Sequence, residues 1–321
     1  MASDAITVTA GNAGPNPFSL SVWIQAIRIR TLVVMPPACV VGAACAAADG
    51  YFSLFRLILA FIGTAAIQSG TNIINDYYDL QSGVDPREAA NPDPFGPSLV
   101  VQRGLLTPDQ LWWGGIVAFS IGAIFGLILV YLCGWPILVI GVASIAAAYF
   151  YTARPLALGY HALGDITGFI FMGPAIVMGA YYVMAMRMTW GAVLTSFAVG
   201  FLGAGILLAN NVRDIETDPQ RGKNTLATYL GRERAVGEVA AFDVGAYMSI
   251  GFGVIAGIIT PLALIVLVTL PRAYDEIAIL NRERDWGRLN LALKRSAQLH
   301  LEFCLLLIAA FAIRAFLHHG H

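Results

Sequence analysis

Charged residues are scarce in this sequence. Only 12% of its 321 residues are Asp, Glu, Lys or Arg, about half the share found in soluble domains. Together with 58% hydrophobic residues and a mean hydropathy of +0.70, this scarcity excludes an ordinary soluble domain and predicts a polytopic membrane protein. The net charge of −1 provides no basic excess for nucleic acid. We therefore expect a lipid bilayer, and no nucleic acid, among its partners.

Two other features are missing. The four cysteines, Cys39, Cys45, Cys133 and Cys304, form no CxxC pair, which argues against a disulfide framework or a zinc site and predicts small core residues. Residues 1–17 lack a basic segment followed by a short apolar run and a cleavage site, so we expect no removable signal peptide. We interpret residues 1–17 as a flexible tail and residues 18–321 as a single intramembrane domain.

Apolar runs fill most of that domain and predict an all-α protein with about nine transmembrane helices. We place the spans at residues 31–48, 52–75, 111–133, a fourth that ends near 151, 164–186, 190–211, two within 236–270 that Pro261 divides, and 299–317. Polar segments at 76–109 and 212–234 follow the second and the sixth span. Residues 271–298 are charged and amphipathic.

The basic residues predict an orientation for these spans. With the N-terminus inside, the cytoplasmic segments hold all of the 19 basic residues except Arg56, Arg187 and Arg314. Such a bias is typical of cytoplasmic loops. We therefore predict a multi-pass protein of the bacterial cytoplasmic (inner) membrane, with the N-terminus and both polar segments on the cytoplasmic side.

The stretch 71–85, TNIINDYYDLQSGVD, joins polar side chains to the end of the second span. On a helix, Asn72, Asp76 and Asp79 are spaced i, i+4 and i+7 and share one face. With Asp85 they form what we call the first motif. Its carboxylates repel one another unless a cation neutralises them, and their oxygens suit Mg²⁺ that also binds substrate phosphates. The alternative is a solvated acidic helix end.

A second motif, Asn210, Asp214 and Asp218, repeats this arrangement 138 residues later, where the sixth span ends. Its members are spaced i, i+4 and i+8, again on one face. The matching positions indicate two parallel four-helix halves that each contribute one carboxylate cluster. Because both motifs lie on the same side, they favour a paired site over an ordinary helix end.

Two facing carboxylate clusters can hold two Mg²⁺ ions around a diphosphate, and nearby cations can stabilise the departing diphosphate. The candidate cations are Arg28, Arg103, Arg154, Arg213 and Lys223, although each alone fits a topology-setting charge. Aromatic faces can stabilise an allylic cation, for which the candidates are Tyr77, Tyr78 and Tyr151. Their alternative role is in an interfacial aromatic belt. The apolar spans suit a long hydrocarbon chain.

At these residues the sequence resembles a known family. NDYYDLQSGVD and NNVRDIETD are similar to the paired aspartate motifs of the UbiA superfamily of intramembrane prenyltransferases. The stretches at 28–32, 96–110, 151–165 and 222–231 resemble its 1,4-dihydroxy-2-naphthoate branch, as does the five-residue gap between Asp79 and Asp85. Asp165 departs from that branch, which more often has Glu.

The resemblance implies a nine-helix bundle around a central cavity, with cytoplasmic loops that cap a Mg²⁺–diphosphate site. It implies transfer from a polyprenyl diphosphate to an aromatic acceptor, here 1,4-dihydroxy-2-naphthoate, with loss of CO₂ and diphosphate, on the route to menaquinone. The implied metal and catalytic positions are Asp76, Asp79, Asp214 and Asp218, with Asp85 as a further ligand or a loop-shaping residue. The implied diphosphate contacts are Asn72, Asn75, Arg154 and Lys223, with Asn210 or Asn211 beside the second motif.

Two alternatives remain open at this point. The acceptor could instead be 4-hydroxybenzoate, homogentisate, a chlorin or a glycerol phosphate lipid. From another class, repeated halves and acidic groups would suit a secondary transporter. Transporter sites lie near the bilayer midplane, whereas these motifs are at helix ends, and only Asp243 is a carboxylate placed clearly within a span.

Overall fold

The structure is a computed structural model that describes residues 19–85 and 96–319. These residues are almost entirely helical, and their only β-type pairing is an isolated bridge between His161 and Asn224. The predicted all-α class is therefore confirmed. The tail predicted at 1–17 lies outside the described residues.

Twelve α-helices make up most of the described chain. They are α1 (Leu20–Ala26), α2 (Met35–Ala48), α3 (Leu54–Ser82), α4 (Pro108–Cys133), α5 (Trp135–Phe150), α6 (Gly164–Met172), α7 (Gly179–Ala185), α8 (Trp190–Arg213), α9 (Leu226–Leu230), α10 (Arg232–Ile255), α11 (Leu270–Arg282) and α12 (Trp286–His319). A π-turn over Pro174–Met178 joins α6 to α7, and a 3₁₀ helix over Pro261–Thr269 leads into α11.

Seven helical elements of the described chain are long and apolar enough to cross a membrane. They are Ile29–Ala48, Leu54–Ser82, Pro108–Cys133, Gly164–Ala185, Trp190–Arg213, Arg232–Ile255 and Trp286–Leu317. The expected fourth span is α5, which has only 16 residues. The expected eighth span is a 3₁₀ helix that continues into the charged α11. Seven of the nine expected spans are thus full-length apolar helices.

The largest core surrounds α8, which packs against α2, α6, α10 and α12. The α6–α7 element approaches α8 closely at Gly173. A Cβ on Gly173 would lie 2.3 Å from the Cα of Gly200, so a larger residue there would separate the two helices. All four cysteines are free and buried, and they belong to this core as predicted.

The two most extensive helix contacts are those of α3 with α4 and of α8 with α10. These are equivalent pairs if the chain contains the two halves expected from the repeated motifs. In both pairs the first helix ends in an Asn–Asp motif. In each case, described residues of the polar segment after that helix contact the motif, as Ser98 contacts Asp76 and Lys223 contacts Asp218.

The last helix extends well beyond the length of one crossing. At 1.5 Å per residue the 34 residues of α12 span about 50 Å, whereas a hydrocarbon core is about 30 Å thick. Its polar first part packs against α11, and Leu280 of α11 and Leu289 of α12 belong to one buried core. The amphipathic segment expected at 271–298 is therefore a helical hairpin beside the second motif. Asp243 lies inside α10 and is buried.

Candidate active site

The first motif occupies the last three turns of α3 and the loop after it, and Asp76 is its most enclosed member. The carboxylate of Asp76 accepts a hydrogen bond from the backbone N–H of Ser98 at 2.8 Å and forms an ion pair with Arg28 at 3.4 Å. Arg28 has a φ of 53°, in the left-handed region that non-glycine residues seldom adopt. Strained backbone of this kind is concentrated at functional sites. Two segments distant in sequence therefore hold Asp76.

Asp79 is held by a residue from a third segment. The hydroxyl of Tyr160 donates to the Asp79 carboxylate and also pairs with the hydroxyl of Ser82 at 2.9 Å. The carbonyl of Tyr160 accepts the N–H of Asn224 at 3.0 Å. Tyr160 thereby connects the end of α3 with the loop that follows α8.

Asp85 returns to the motif because the chain reverses at Gly83. Gly83 has a φ of 75°, which glycine adopts without the steric cost other residues meet. The N–H groups of Val84 and Asp85 then donate to the carbonyl of Asp79 at 2.9 and 3.1 Å. Burial and the neighbouring carboxylates of Asp79 and Asp76 raise the pKa of Asp85. Its Oδ2 is shielded from solvent and accepts no hydrogen bond from the described residues.

In the second motif, Asp214 directly follows the last residue of α8. Its carboxylate accepts hydrogen bonds from Arg213 at 2.6 and 2.9 Å and from the indole N–H of Trp286 at 3.0 Å. Burial alone would raise the pKa of Asp214, but the hydrogen bonds and charge of Arg213 lower it. Asp214 is therefore an ionised carboxylate at neutral pH.

Asp218 lies one turn further, in the loop after α8, and is buried. Its carboxylate is 3.1 Å from the ammonium of Lys223. Burial raises the pKa of Asp218 although the charge of Lys223 opposes that shift. The pair is a largely enclosed ion pair, in which each charge depends on the other.

The loop after α8 brings the two motifs together. Lys223 is close enough to act electrostatically on Asp79 and Asp85 as well as on Asp214 and Asp218. The guanidinium of Arg221 donates to the carbonyl of Val84, next to Asp85. The motifs predicted from sequence therefore face each other, with Lys223 between them.

The five predicted cations divide into two groups. Arg28, Arg213 and Lys223 each form an ion pair with an aspartate of a motif. Arg103 donates instead to the side-chain oxygen of Gln25 at 3.0 Å. Arg154 is exposed and forms no ion pair with another described residue. The structure thus does not bring Arg103 and Arg154 to the carboxylates.

The predicted asparagines are held by loops. The side-chain amide of Asn72 donates to the carbonyl of Ile27 at 2.9 Å and to the hydroxyl of Thr31 at 2.8 Å. Asn75 accepts a hydrogen bond from the hydroxyl of Thr152 at 3.0 Å. Both asparagines thereby fasten neighbouring segments to α3. In the second motif region, Asn211 donates to Asp165 at 3.5 Å.

The predicted tyrosines have different surroundings. Tyr77 and Tyr78 make an edge-to-face contact with ring centroids 5.0 Å apart, and the hydroxyl of Tyr78 pairs with that of Tyr149 at 2.8 Å. Tyr151 is within electrostatic range of the carboxylates of Asp165, Asp79 and Asp218. Of the three, Tyr151 is also the one that lines the cavity described next.

A cavity of about 350 Å³ begins beside the first motif. Its polar end is formed by Asn72, Asn75 and Tyr151, and the rest of its lining is almost wholly apolar. On α3 the lining extends from Asn75 back to Ala60, which is about 22 Å along a helix. The walls come from α2 to α7, with Leu207 of α8. This shape suits a hydrocarbon chain whose polar head lies at the aspartates.

The sequence model of the UbiA prenyltransferase family matches residues 34–316, which includes both motifs and the cavity. The chain belongs to this family. The membership agrees with the facing Asn–Asp motifs and with the resemblance stated from the sequence.

Among relatives of this UbiA-family chain are two bacterial proteins named 1,4-dihydroxy-2-naphthoate octaprenyltransferase. The protein from Mycobacterium tuberculosis is 33% identical over 216 residues, which cover 67% of this chain and 72% of the relative. The protein from Escherichia coli is 34% identical over 219 residues, which cover 66% of this chain and 70% of the relative.

Solved structures of UbiA homologues have the same fold. The apo homologue from Aeropyrum pernix superposes with a TM-score of 0.66 at 21% identity, covering 88% of this chain and 97% of the homologue. A homologue from Archaeoglobus fulgidus bound to DMAPP and Mg²⁺ also has a TM-score of 0.66, at 16% identity, covering 91% of this chain and 99% of the homologue.

The donor set of this UbiA-family site fits Mg²⁺ that is shared with a substrate. Among the described residues, no group of three or more His, Cys, Asp or Glu side chains is arranged so that it could hold a metal ion by itself. Protein Mg²⁺ sites commonly use one or two carboxylates and complete the octahedron with phosphate and water. The Asp85 carboxylate, whose buried Oδ2 accepts no hydrogen bond from a described residue, has the chemistry that such a site would need.

Several residues of the site were not singled out from the sequence. Tyr160 and Ser98 contact the first motif, Trp286 contacts the second, and Arg221 joins the two. Tyr160 lies within the 151–165 stretch on which the resemblance to the naphthoate branch rests, so that stretch was a usable signal. Trp286 belongs to no recognisable sequence motif. It reaches Asp214 because the hairpin of α11 and α12 folds beside the second motif.

Proposed function

We propose that this protein transfers a prenyl chain from a polyprenyl diphosphate to 1,4-dihydroxy-2-naphthoate, in the biosynthesis of menaquinone. The observation that carries the proposal is the pair of Asn–Asp motifs facing each other across Lys223 at the polar end of an apolar cavity. The names of the bacterial relatives support this acceptor. The homologue bound to DMAPP and Mg²⁺ supports a prenyl diphosphate donor and a Mg²⁺ cofactor.

In this proposal the carbon–oxygen bond between the prenyl group and the diphosphate breaks, and the diphosphate leaves with the electron pair. The ring carbon of the acceptor that bears the carboxylate bonds to the prenyl carbon. Loss of CO₂ returns its bonding electrons to the ring, which yields the quinol form of demethylmenaquinone. Mg²⁺, when bound, supplies positive charge that neutralises the diphosphate oxygens.

The residues of the chain divide the remaining tasks. Asp76, Asp79, Asp85, Asp214 and Asp218 hold the metal ions. Lys223 contributes positive charge where the diphosphate departs. Arg154, which is exposed and forms no ion pair with the carboxylates of the described residues, binds the diphosphate once the donor is present. The apolar cavity holds the prenyl chain and keeps water from an allylic cation, which the face of Tyr151 stabilises.

The proposal also includes the arrangement in the membrane. The chain has nine spans if two further elements cross the membrane in addition to the seven long helices. One is α5, and the other is the 3₁₀ helix together with α11. The basic residues then favour a bacterial cytoplasmic membrane, with the N-terminus and the loops that cap the motifs on the cytoplasmic side.

The test supplies purified protein with Mg²⁺, a prenyl diphosphate and a panel of aromatic acceptors, and identifies products by mass spectrometry. We expect prenylated, decarboxylated product from 1,4-dihydroxy-2-naphthoate. Prenylation of 4-hydroxybenzoate in its place would overturn the acceptor, and absence of prenyl transfer to every acceptor would overturn the reaction.

A further inference from the structure

Two glycines line the cavity far from the aspartates. A Cβ built on Gly126 of α4 or on Gly141 of α5 meets no atom within 4 Å, although both residues line the cavity. One turn earlier on α4 the situation is different, because a Cβ on Gly122 would lie 2.6 Å from a side-chain carbon of Ile67. There is therefore room for a side chain at Gly126 that is absent at Gly122.

The two glycines lie at the same depth in the bundle. Gly126 comes seven residues before the end of α4 at Cys133, and Gly141 comes six residues after the start of α5 at Trp135. Since the two helices are antiparallel neighbours, both glycines are about 10 Å from the turn that joins them. Gly141 is also about 15 Å along α5 from Tyr151 at the polar end.

Three apolar side chains near this glycine pair line the cavity and are exposed. They are Leu127, Leu138 and Val142, with exposed fractions of 57%, 43% and 61%. The cavity is therefore open at this depth and is not filled by packed side chains. A hydrocarbon chain that enters at Tyr151 and follows α5 reaches the glycines there.

We infer that Gly126 and Gly141 determine which prenyl chains are used, because the space left by their missing side chains receives the isoprene units furthest from the diphosphate. The inference rests on the proposed function, in which the donor is a prenyl diphosphate. The two isoprene units of geranyl diphosphate end before the glycine pair, whereas the eight units of octaprenyl diphosphate extend past it. A large side chain at either position therefore discriminates against the long donor and leaves the short one unaffected.

The experiment compares geranyl and octaprenyl diphosphate as donors for wild type, Gly126→Phe and Gly141→Phe, with 1,4-dihydroxy-2-naphthoate as the acceptor. A hydrophobic pocket that loses room discriminates by about tenfold or more. We expect kcat/KM to fall by about that factor for octaprenyl diphosphate and to change less than about threefold for geranyl diphosphate.

The matched control is Gly251→Phe. Gly251 lies in the membrane-spanning α10, and a Cβ there also meets no atom within 4 Å, but Gly251 does not line the cavity. We expect this variant to use both donors as the wild type does. Selective loss of the long donor in the control would overturn the inference.

The inference would also be overturned if the two cavity variants used both donors as the wild type does, or if kcat/KM fell by the same factor with both donors. If the wild type transfers neither donor, the proposed function fails. The inference is then tested separately, by measuring how each prenyl diphosphate binds to the wild type and the variants. Protection against thermal unfolding by each diphosphate is measured in the same variants. Loss of protection by octaprenyl diphosphate alone supports the glycine pair, and unchanged protection contradicts it.

Discussion

The ammonium of Lys223 lies 3.1 Å from the carboxylate of Asp218. Their side chains are 15% and 5% exposed, so water screens the pair only weakly. Lys223 also acts on Asp79 and Asp85 at the end of the other motif helix. One side chain thus contributes to the charge balance of both motifs.

We predict that Lys223→Gln lowers kcat/KM by about a hundredfold, since removal of one preorganised donor from a developing anion costs about that much. Steady-state assays with a prenyl diphosphate and Mg²⁺ check this. Lys294→Gln is the control, because Lys294 is exposed on α12, and it should behave as the wild type. A Lys223→Gln enzyme with unchanged kcat/KM would remove Lys223 from the diphosphate site.

Tyr160→Phe deletes only the hydroxyl that donates to Asp79. A hydrogen bond to a charged group contributes about 1.5–3 kcal/mol, so we expect the Mg²⁺ concentration needed for half-maximal activity to rise about tenfold. Titration of activity against Mg²⁺ measures this. The control is Tyr229→Phe, at a residue that is 72% exposed. An unchanged Mg²⁺ titration in Tyr160→Phe would show that Asp79 keeps its position without the hydroxyl.

Asp76→Ala and Asp214→Ala should each reduce turnover by about a thousandfold, because each removes a carboxylate from one side of the paired site. Both proteins should stay folded in detergent, which thermal unfolding and size-exclusion chromatography would verify. Asp275→Ala, at an exposed position of α11, is the matched control. Substantial turnover in either motif variant would contradict a site that requires both motifs.

Arg103 and Arg154 were predicted as equivalent diphosphate contacts, but their surroundings differ. Arg103 is bound to Gln25, whereas Arg154 has no ion pair among the described residues and follows closely after Tyr151. We expect Arg154→Gln to raise the KM for prenyl diphosphate about tenfold, since a charged hydrogen bond to phosphate is lost. Arg103→Gln should change it by less than about threefold. The reverse order of effects would show that Arg103 moves to the site.

The sequence alone was sufficient to single out the two Asn–Asp motifs, because each motif is local. Asn72, Asp76 and Asp79 share a helix face by spacing alone, and the repeat at Asp214 and Asp218 indicated a partner. The contacts that orient these residues were not predictable in the same way. Tyr160 and Asp79 are 81 residues apart, and the periodicity of the sequence does not indicate contacts between residues so far apart.

The fold shows a similar division. Long apolar runs correctly predicted seven helices of the described chain that are long and apolar enough to cross a membrane, because length and hydropathy are properties of each run. The short α5 and the 3₁₀ helix at Pro261–Thr269 were less predictable, since packing against neighbouring helices decides how such runs are wound. The hairpin of α11 and α12 depends on a core around Leu280 and Leu289 that only the folded chain assembles.

The most direct test of the central claim is prenyl transfer by the purified protein as a function of Mg²⁺. The account predicts that a prenyl diphosphate and 1,4-dihydroxy-2-naphthoate give prenylated, decarboxylated product with Mg²⁺, that excess EDTA stops the reaction, and that added Mg²⁺ restores it. Continued turnover in excess EDTA, or no product with Mg²⁺ present, would contradict the account.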